Sequence, residues 1–470
     1  MLGEPNNMGF EAKIGLELHV QLKTKSKMFS SAPVCFGAEP NTCVDITDAA
    51  FPGSLPTVNK TAVKYAVMLA NALSMNISNT LNFERKNYFY SDLPRGYQIT
   101  QHFQPLGTNG YLLINNKRID IQELHLEEDT CKQVHIGEST FLDYNRAGIP
   151  LIEIVTSPTI SSGEEASLFV EKIRSIVTFL GISDGKMEKG SLRCDVNVSI
   201  NNSNKVEIKN LNSVANIQKA IDFELNRQAL LLQNGDFVTQ ETRRFDEASN
   251  QTISMRAKGN EVDYKYFTDP NLPPIKLSKA FIEAAIKLSP ELEEVRYCRY
   301  KALGQSDYDA SLLTQDADIS NYFDSAIACG ANAKLAANWI NDEIRSVLNK
   351  RQIGINEFSI TPSLLTKLIK LIEEGRITNK QARDLFKQMI DNPVAPSALL
   401  PVFEQQKLDD KQLKNVINKV LDDNKQAILD YNSGKDRALG FIIGKVINET
   451  NGCVNTSLVK KLVIEEIKRR

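Results

Sequence analysis

Histidine is scarce in this chain of 470 residues. There are four, His19, His102, His125 and His135, and all fall in the first third. Gly181-Ile-Ser-Asp-Gly185 has the spacing of a nucleophile elbow. In that fold the catalytic histidine follows the serine, and none does here, so the segment reads as a turn closing the helix before it. The same shortage argues against a Cys–His nucleophile built on Cys194, Cys298, Cys329 or Cys453. The seven cysteines are odd in number, scattered and never spaced C-x-x-C. That argues against a disulfide framework and points to a reducing compartment, a bacterial cytoplasm or an organelle matrix.

Other absences narrow the field further. No apolar run approaches the roughly 18 residues that span a bilayer, and the opening Met1-Leu-Gly-Glu-Pro-Asn-Asn carries no targeting pattern. No membrane association is expected. Lys+Arg number 56 and Asp+Glu 58, a net charge of -2, so any nucleic-acid contact must come from local patches. Gly440-Phe-Ile-Ile-Gly-Lys445 is one spacer short of a phosphate loop and is followed by Val, and neither GxGxxG nor HExxH occurs. With 42% hydrophobic and 24% charged residues the chain is globular rather than disordered, and its length suggests about three domains.

What is present falls into two regimes. To about residue 290 short alternating segments are punctuated by Pro and Gly, with helical periodicity at 62–76, 164–180 and 214–233. Strands interrupted by helices predict an α+β fold. Beyond Lys279 long amphipathic patterns take over, as at 333–348 and 363–374. Asp269-Pro-Asn-Leu-Pro-Pro274 reads as a linker zone, and a second break lies at 391–401. Residues 401–470 hold 13 Lys/Arg against 10 Asp/Glu, a small positive surplus on an acidic body.

Three constellations carry chemistry. Lys13-Ile-Gly-Leu-Glu-Leu-His-Val-Gln-Leu22 alternates without a fault, which puts Glu17 and His19 side by side on the polar face of a strand. Pro150-Leu-Ile-Glu-Ile-Val-Thr156 sets one carboxylate, Glu153, in an apolar strand that reads as buried on both faces; the carboxylate needs a partner, with Arg146 one candidate. In Glu123-Leu-His-Leu-Glu-Glu-Asp129 alternation sends Leu124, Leu126 and Glu128 to one side and His125, Glu127 and Asp129 to the other. Carboxylates with one imidazole suit Mg²⁺ or Mn²⁺ better than zinc. A third group is basic and aromatic: Arg85-Lys-Asn-Tyr-Phe-Tyr90, Gly190-Ser-Leu-Arg-Cys-Asp-Val-Asn-Val-Ser199, Glu207-Ile-Lys-Asn-Leu-Asn-Ser213 and Gln240-Glu-Thr-Arg-Arg244. Such sets bind phosphate oxygens and stack bases, although ordinary cross-strand charge pairing accounts for any one alone.

Taken in order with Gly96-Tyr-Gln-Ile-Thr-Gln101 and Asn145-Arg-Ala-Gly-Ile-Pro150, these motifs resemble the B subunits of the aspartyl/glutamyl-tRNA amidotransferases, from about residue 12 to the C-terminus. The resemblance implies a cradle-shaped catalytic domain of mixed or antiparallel sheet over 1–292, an all-α domain over 293–400 and a small helical tail over 401–470 that touches tRNA near Arg437 to Lys445. It implies an ATP-dependent carbon–nitrogen ligase that works in a heterotrimer with the family's amidase subunit and its small third subunit. The side-chain carboxylate of Glu-tRNA(Gln) or Asp-tRNA(Asn) is phosphorylated with ATP and Mg²⁺, and ammonia from glutamine then displaces the phosphate.

Carried over by residue, the resemblance implies Mg²⁺ ligands Glu17, His19, Glu128 and Glu153, catalytic roles for Lys86, Glu127 and Glu128, and nucleotide contacts at Tyr88, Tyr90, Ser191, Arg193, Lys209 and Asn210. Ser91, Thr130-Cys131, Thr268 and Asn271 depart from the family pattern, and Cys131 would be strained if it had to take a glycine conformation. Only Cys35 and Cys43 are in range of a zinc cluster that some members carry, so none is expected. The rival readings are a tRNA-holding scaffold without kinase activity and a free-standing carboxylate–amine ligase.

Overall fold

The computed structural model describes residues 10–257, 263–399, 410–433, 436–450 and 456–469. Contacts divide the chain into two compact units, Met1–Leu292 and Glu293–Arg470.

The first unit is built on a mixed sheet of nine strands. In chain order these are β1 (Ala12–Gln21), β2 (Asn76–Ile77), β6 (Gly107–Ile114), β7 (Lys117–Glu128), β10 (Pro150–Thr156), β11 (Leu192–Ile200), β12 (Val206–Leu211), β13 (Glu241–Asp246) and β14 (Gln251–Ala257). Their order across the sheet is β14-β13-β12-β11-β1-β10-β7-β6-β2. Every pairing is antiparallel except β12 with β13, which is parallel.

The perfect alternation of β1 becomes a two-faced strand. Ile14, Leu16, Leu18 and Val20 are buried, while Lys13, Gly15, Glu17, His19 and Gln21 stay half-buried on the other face. Helices α1 (Lys60–Ala72), α2 (Gly163–Phe179) and α3 (Val214–Gln233) supply the cover. Phe169, Val170 and Ile173 of α2 and Ile217 and Ile221 of α3 join the β1 side chains in one apolar cluster. Each such side chain contributes about 1.5–3 kcal/mol through its removal from water. Each helix starts on a readable cap. The Asn59 side chain accepts from the Thr61 and Ala62 amides, Ser162 from that of Glu165 and Ser213 from that of Asn216. Gly181, at φ +69°, closes α2 as the sequence suggests.

Small sheets border the large one. β4 (Glu84–Asn87) pairs with β5 (Tyr97–Thr100) and with β15 (Phe267–Thr268); β3 (Thr80–Leu81) pairs with β16 (Ile275–Lys276); and β8 (Lys132–Ile136) forms a hairpin with β9 (Ser139–Asp143). The Pro-rich stretch at 269–274 is therefore not a linker. Asp269 and Leu272 are buried, the Asp269 amide donates to the Phe83 carbonyl at 2.8 Å, and α4 (Lys279–Lys287) follows within the same unit. Cys131 is not among the residues at positive φ, so the strain a glycine conformation would bring does not arise. Burial pushes its thiol up to about 11. Cys35 and Cys43 form a disulfide, where the scattered cysteines suggested free thiols. Asn145 folds the loop between them: its Oδ1 accepts from the Cys43 amide and its Nδ2 donates to the Glu39 carbonyl.

The second unit is helical throughout its described residues. Helices Glu293–Ala302 to Asn379–Asp391 enclose one apolar cluster around Tyr300, Phe323, Trp339 and Phe386, and helices Asp410–Asp423, Lys425–Asn432, Asp436–Glu449 and Thr456–Arg469 enclose another around Ile417, Ile442 and Val463. The pattern at 333–348 is helical but not uniform. Trp339–Ile344 is a π turn, with Trp339, Ile340 and Ile344 buried. The whole is an α+β protein with a helical C-terminal region. No described helix is long and apolar enough to cross a membrane.

Candidate active site

The polar face of β1 is the floor of the site. Antiparallel register sets Arg193 of β11, His19 of β1, Glu153 of β10 and His125 of β7 directly beside one another across four strands. Glu127, two residues beyond His125, reaches the row diagonally. His19 Nε2 lies 3.4 Å from Glu127 Oε1 and 3.6 Å from Glu153 Oε2. One ligand atom each from His19, Glu127 and Glu153 all lie within 4.8 Å of one another.

The electrostatics follow from crowding. Burial opposes charge on His19, but Glu127 and Glu153 outweigh it and the imidazole pKa rises to about 9. Burial likewise disfavours ionised Glu153, yet His125, His19 and Lys86 hold it well below the usual carboxylate range. Lys86, on β4, is held charged above its ordinary value: burial works against it and Glu127, Tyr266, Glu153 and Tyr264 prevail.

Two expectations about ligands are corrected. Glu128 does not join the group. It lies on the face of β7 that carries Leu124 and Leu126, where its carboxylate pairs with Arg95 and accepts from the Ile99 amide at 3.0 Å. Glu127 stands beside His19 and Glu153 instead, as alternation along the strand requires. Glu17 also stands apart from the His19 group. Its carboxylate meets Asp195 and Glu207 in a second acidic set, and Lys209 Nζ pairs with two members of that set, at 2.8 Å from Asp195 and 3.1 Å from Glu207. Burial, then Glu153, raises the pKa of Glu17. The partner of Glu153 is not Arg146, which bonds Thr130 and lies 3.6 Å from Asp129. Nor is Glu153 buried on both faces, since its strand shows it to the polar side.

The remaining expected residues are spread around this core. Arg193 is spent on Asp129 at 3.0 Å. Tyr88 meets Tyr90 and Tyr264 edge-on at 5.9 and 5.8 Å, while Tyr90 is largely exposed. Ser191 is buried, its amide donating to the Lys186 carbonyl, and Asn210 is exposed at φ +63°. Among the described residues no hydrogen bond or ion pair ties Ser191 or Asn210 to the His19 group.

Sequence reasoning missed His125, Tyr264 and Tyr266. His125 shares the polar face with Glu127, a signal plainly present in the alternation. The tyrosines come from a segment that lies along β4 nearly 180 residues away in sequence. The Asn87 amide donates to the Tyr264 carbonyl at 3.0 Å and Phe267 pairs with Arg85. Lys86 Nζ then lies 4.9 Å from the centre of the Tyr264 ring, and Tyr266 stacks on His102 at 3.8 Å.

Comparison with known proteins places the chain in a family. A model described as the GatB/GatE catalytic domain matches residues 12–283, and one described as the GatB domain matches residues 321–467. The chain belongs to the GatB family. Curated relatives are named as the B subunit of aspartyl/glutamyl-tRNA(Asn/Gln) amidotransferase. Those of Bacillus cereus (strain AH187) and Bacillus anthracis (strain A0248) are each 44% identical over 475 residues, and that of Bacillus cytotoxicus is 44% identical over 476. In each case the match covers 98% of this chain and 100% of the relative. The GatB catalytic domain match contains every residue of the His19 group, together with Lys86, Tyr264 and Tyr266.

Proposed function

We propose that this chain is the B subunit of a glutamine-dependent tRNA amidotransferase, working with an amidase subunit and a small third subunit on Glu-tRNA(Gln), Asp-tRNA(Asn) or both. The observation that supports a catalytic rather than a scaffold role is the convergence of His19, Glu127 and Glu153 beside the half-buried cation Lys86.

The donors fit a hard divalent cation. Two carboxylates and one imidazole within 4.8 Å suit Mg²⁺ or Mn²⁺, and no thiolate is present to select zinc. His19, Glu127 and Glu153 would hold Mg²⁺, which when bound spreads the charge of ATP phosphate oxygens. The chain's own groups account for the rest. A carboxylate is a poor acylating agent, so the substrate side chain must be activated as an acyl phosphate before it takes nitrogen. Lys86 adds a fixed positive charge where phosphoryl oxygens gather negative charge. Ammonium is not a nucleophile, so a carboxylate must take its proton before it attacks. In the second unit the exposed face of helix Asp436–Glu449, with Arg437, Phe441 and Lys445, is the surface proposed to touch tRNA.

The test is Glu153→Gln in the reconstituted heterotrimer. ATP-dependent phosphorylation of Glu-tRNA(Gln) should fall by about two orders of magnitude or more, while glutamine hydrolysis by the amidase persists. Phosphorylation at the wild-type rate with ordinary Mg²⁺ dependence would return the chain to a scaffold role.

A further inference from the structure

His125 stands outside the proposed ligand group yet is among the most deeply placed polar side chains near it, at 7% exposure. It lies directly opposite Glu153 in the β7–β10 register. Its Nε2 is 2.8 Å from Glu153 Oε2 and 3.9 Å from Glu127 Oε2. Its Nδ1 is buried with no hydrogen-bond partner. Since an ionised carboxylate oxygen can only accept, the proton of this contact belongs to Nε2.

The unpaired nitrogen matters. Burying an imidazole with one side unsatisfied destabilises a fold, so packing alone gives no reason for a histidine here. The single bond it makes does. Glu153 Oε2, the oxygen His125 holds, is also the one nearest His19 Nε2, at 3.6 Å. A carboxylate on a two-bond stem would otherwise rotate freely in front of the cluster.

We infer that His125 is a positioning residue: by donating from Nε2 to Glu153 Oε2 it fixes the rotation of that carboxylate against His19 and Glu127, and so sets the affinity of the group for a divalent cation. This rests on the reading that His19, Glu127 and Glu153 hold such a cation, and it assigns His125 no contact with substrate or metal. Histidine–carboxylate contacts behind a metal site commonly change affinity by about 10–100-fold.

The experiment is direct binding of Mn²⁺ to the full-length chain, followed by the paramagnetic resonance of the free ion, with no turnover required. Glu153→Gln defines which binding belongs to this site. His125→Ala is expected to weaken that binding by about 10–100-fold. His125→Gln, whose side-chain amide reaches the same oxygen, is expected to stay within a few-fold of wild type. If His125→Ala does not fold, His125→Asn replaces it, being one bond too short to reach Glu153, and the same loss is expected. Unchanged affinity in His125→Ala or His125→Asn overturns the inference. So does an equal loss in His125→Gln, which would trace the effect to burial rather than to the hydrogen bond. If Glu153→Gln binds Mn²⁺ as wild type does, the cation reading itself fails and takes this inference with it. A defect in Glu153→Gln without one at His125 leaves the cation reading standing.

Discussion

His19 and Glu153 face each other across an antiparallel strand pair, with imidazole Nε2 and carboxylate Oε2 3.6 Å apart, and 133 residues of chain separate them. The pair ties the charge state of the site to pH. The folded-state pKa of His19, about 9, lies above its ordinary 6.5. The stabilisation from its charged form is therefore complete below about pH 6.5 and is lost as pH climbs through about 9. Cation binding runs the other way, because a ligand imidazole must be neutral. Mn²⁺ affinity of the full-length chain should strengthen by up to about tenfold per pH unit between roughly pH 7 and 9. Titrations across that window check it, and a flat profile removes His19 from the ligand set.

Neighbouring acids should separate cleanly. Glu127→Gln is expected to abolish Mn²⁺ binding at this site and to lower the His19 pKa that Glu127 holds up. Glu128→Gln should leave Mn²⁺ binding intact and destabilise the fold, since it strands the Arg95 guanidinium in a largely buried pocket. Removing one partner of a buried ion pair costs about 3–5 kcal/mol, visible in denaturant unfolding. Loss of Mn²⁺ binding in a folded Glu128→Gln protein would reverse the assignment.

The Tyr264 ring against Lys86 should act on rate rather than on assembly. A cation–π contact is worth about 0.5–2 kcal/mol, so Tyr264→Ala should lower kcat of the heterotrimer by roughly twofold to thirtyfold. Tyr264→Phe keeps the ring and should remain near wild type. If the two variants fall equally, the ring's face is not what holds Lys86.

The tail makes a salt-dependent prediction. Arg437 and Lys445 lie on the exposed side of their helix, and Lys445 Nζ is 5.7 Å from the Phe441 ring centre. Replacing both by Ala should raise KM for tRNA and reduce the slope of log affinity against log salt by about 1–2, with kcat little changed. An unaltered slope would place the tRNA contact elsewhere.

How much of this was legible depended on whether the signal was local. Alternation in β1 put Glu17 and His19 on one face, and alternation in β7 separated Glu127 from Glu128. The resemblance to the family then assigned Glu128, whereas the fold follows the alternation and brings Glu127 beside His19 and Glu153. Helices α1 to α3 were readable because their caps and apolar spacing lie within 20 residues. The parallel pairing of β12 with β13 and the approach of Tyr264 to β4 were not readable. Each is fixed by contacts between distant segments, and neither Asp263-Tyr-Lys-Tyr-Phe267 nor Glu241-Thr-Arg-Arg244 carries its partner's identity. The choice of His125 over Arg146 as the partner of Glu153 was hidden for the same reason. Both lay within reach in sequence, and only the register of β10 against β7 decides between them.

The row Arg193, His19, Glu153, His125 has one member on each of four adjoining strands. A strand that slipped by a single residue would turn its member into the oily side beneath the helices. Such a fault in β1, β7 or β10 would take His19, Glu127 or Glu153 out of the group proposed to hold the cation. Preparations should then mix molecules that bind the ion with molecules that do not, with intermediate binding reflecting only their proportions.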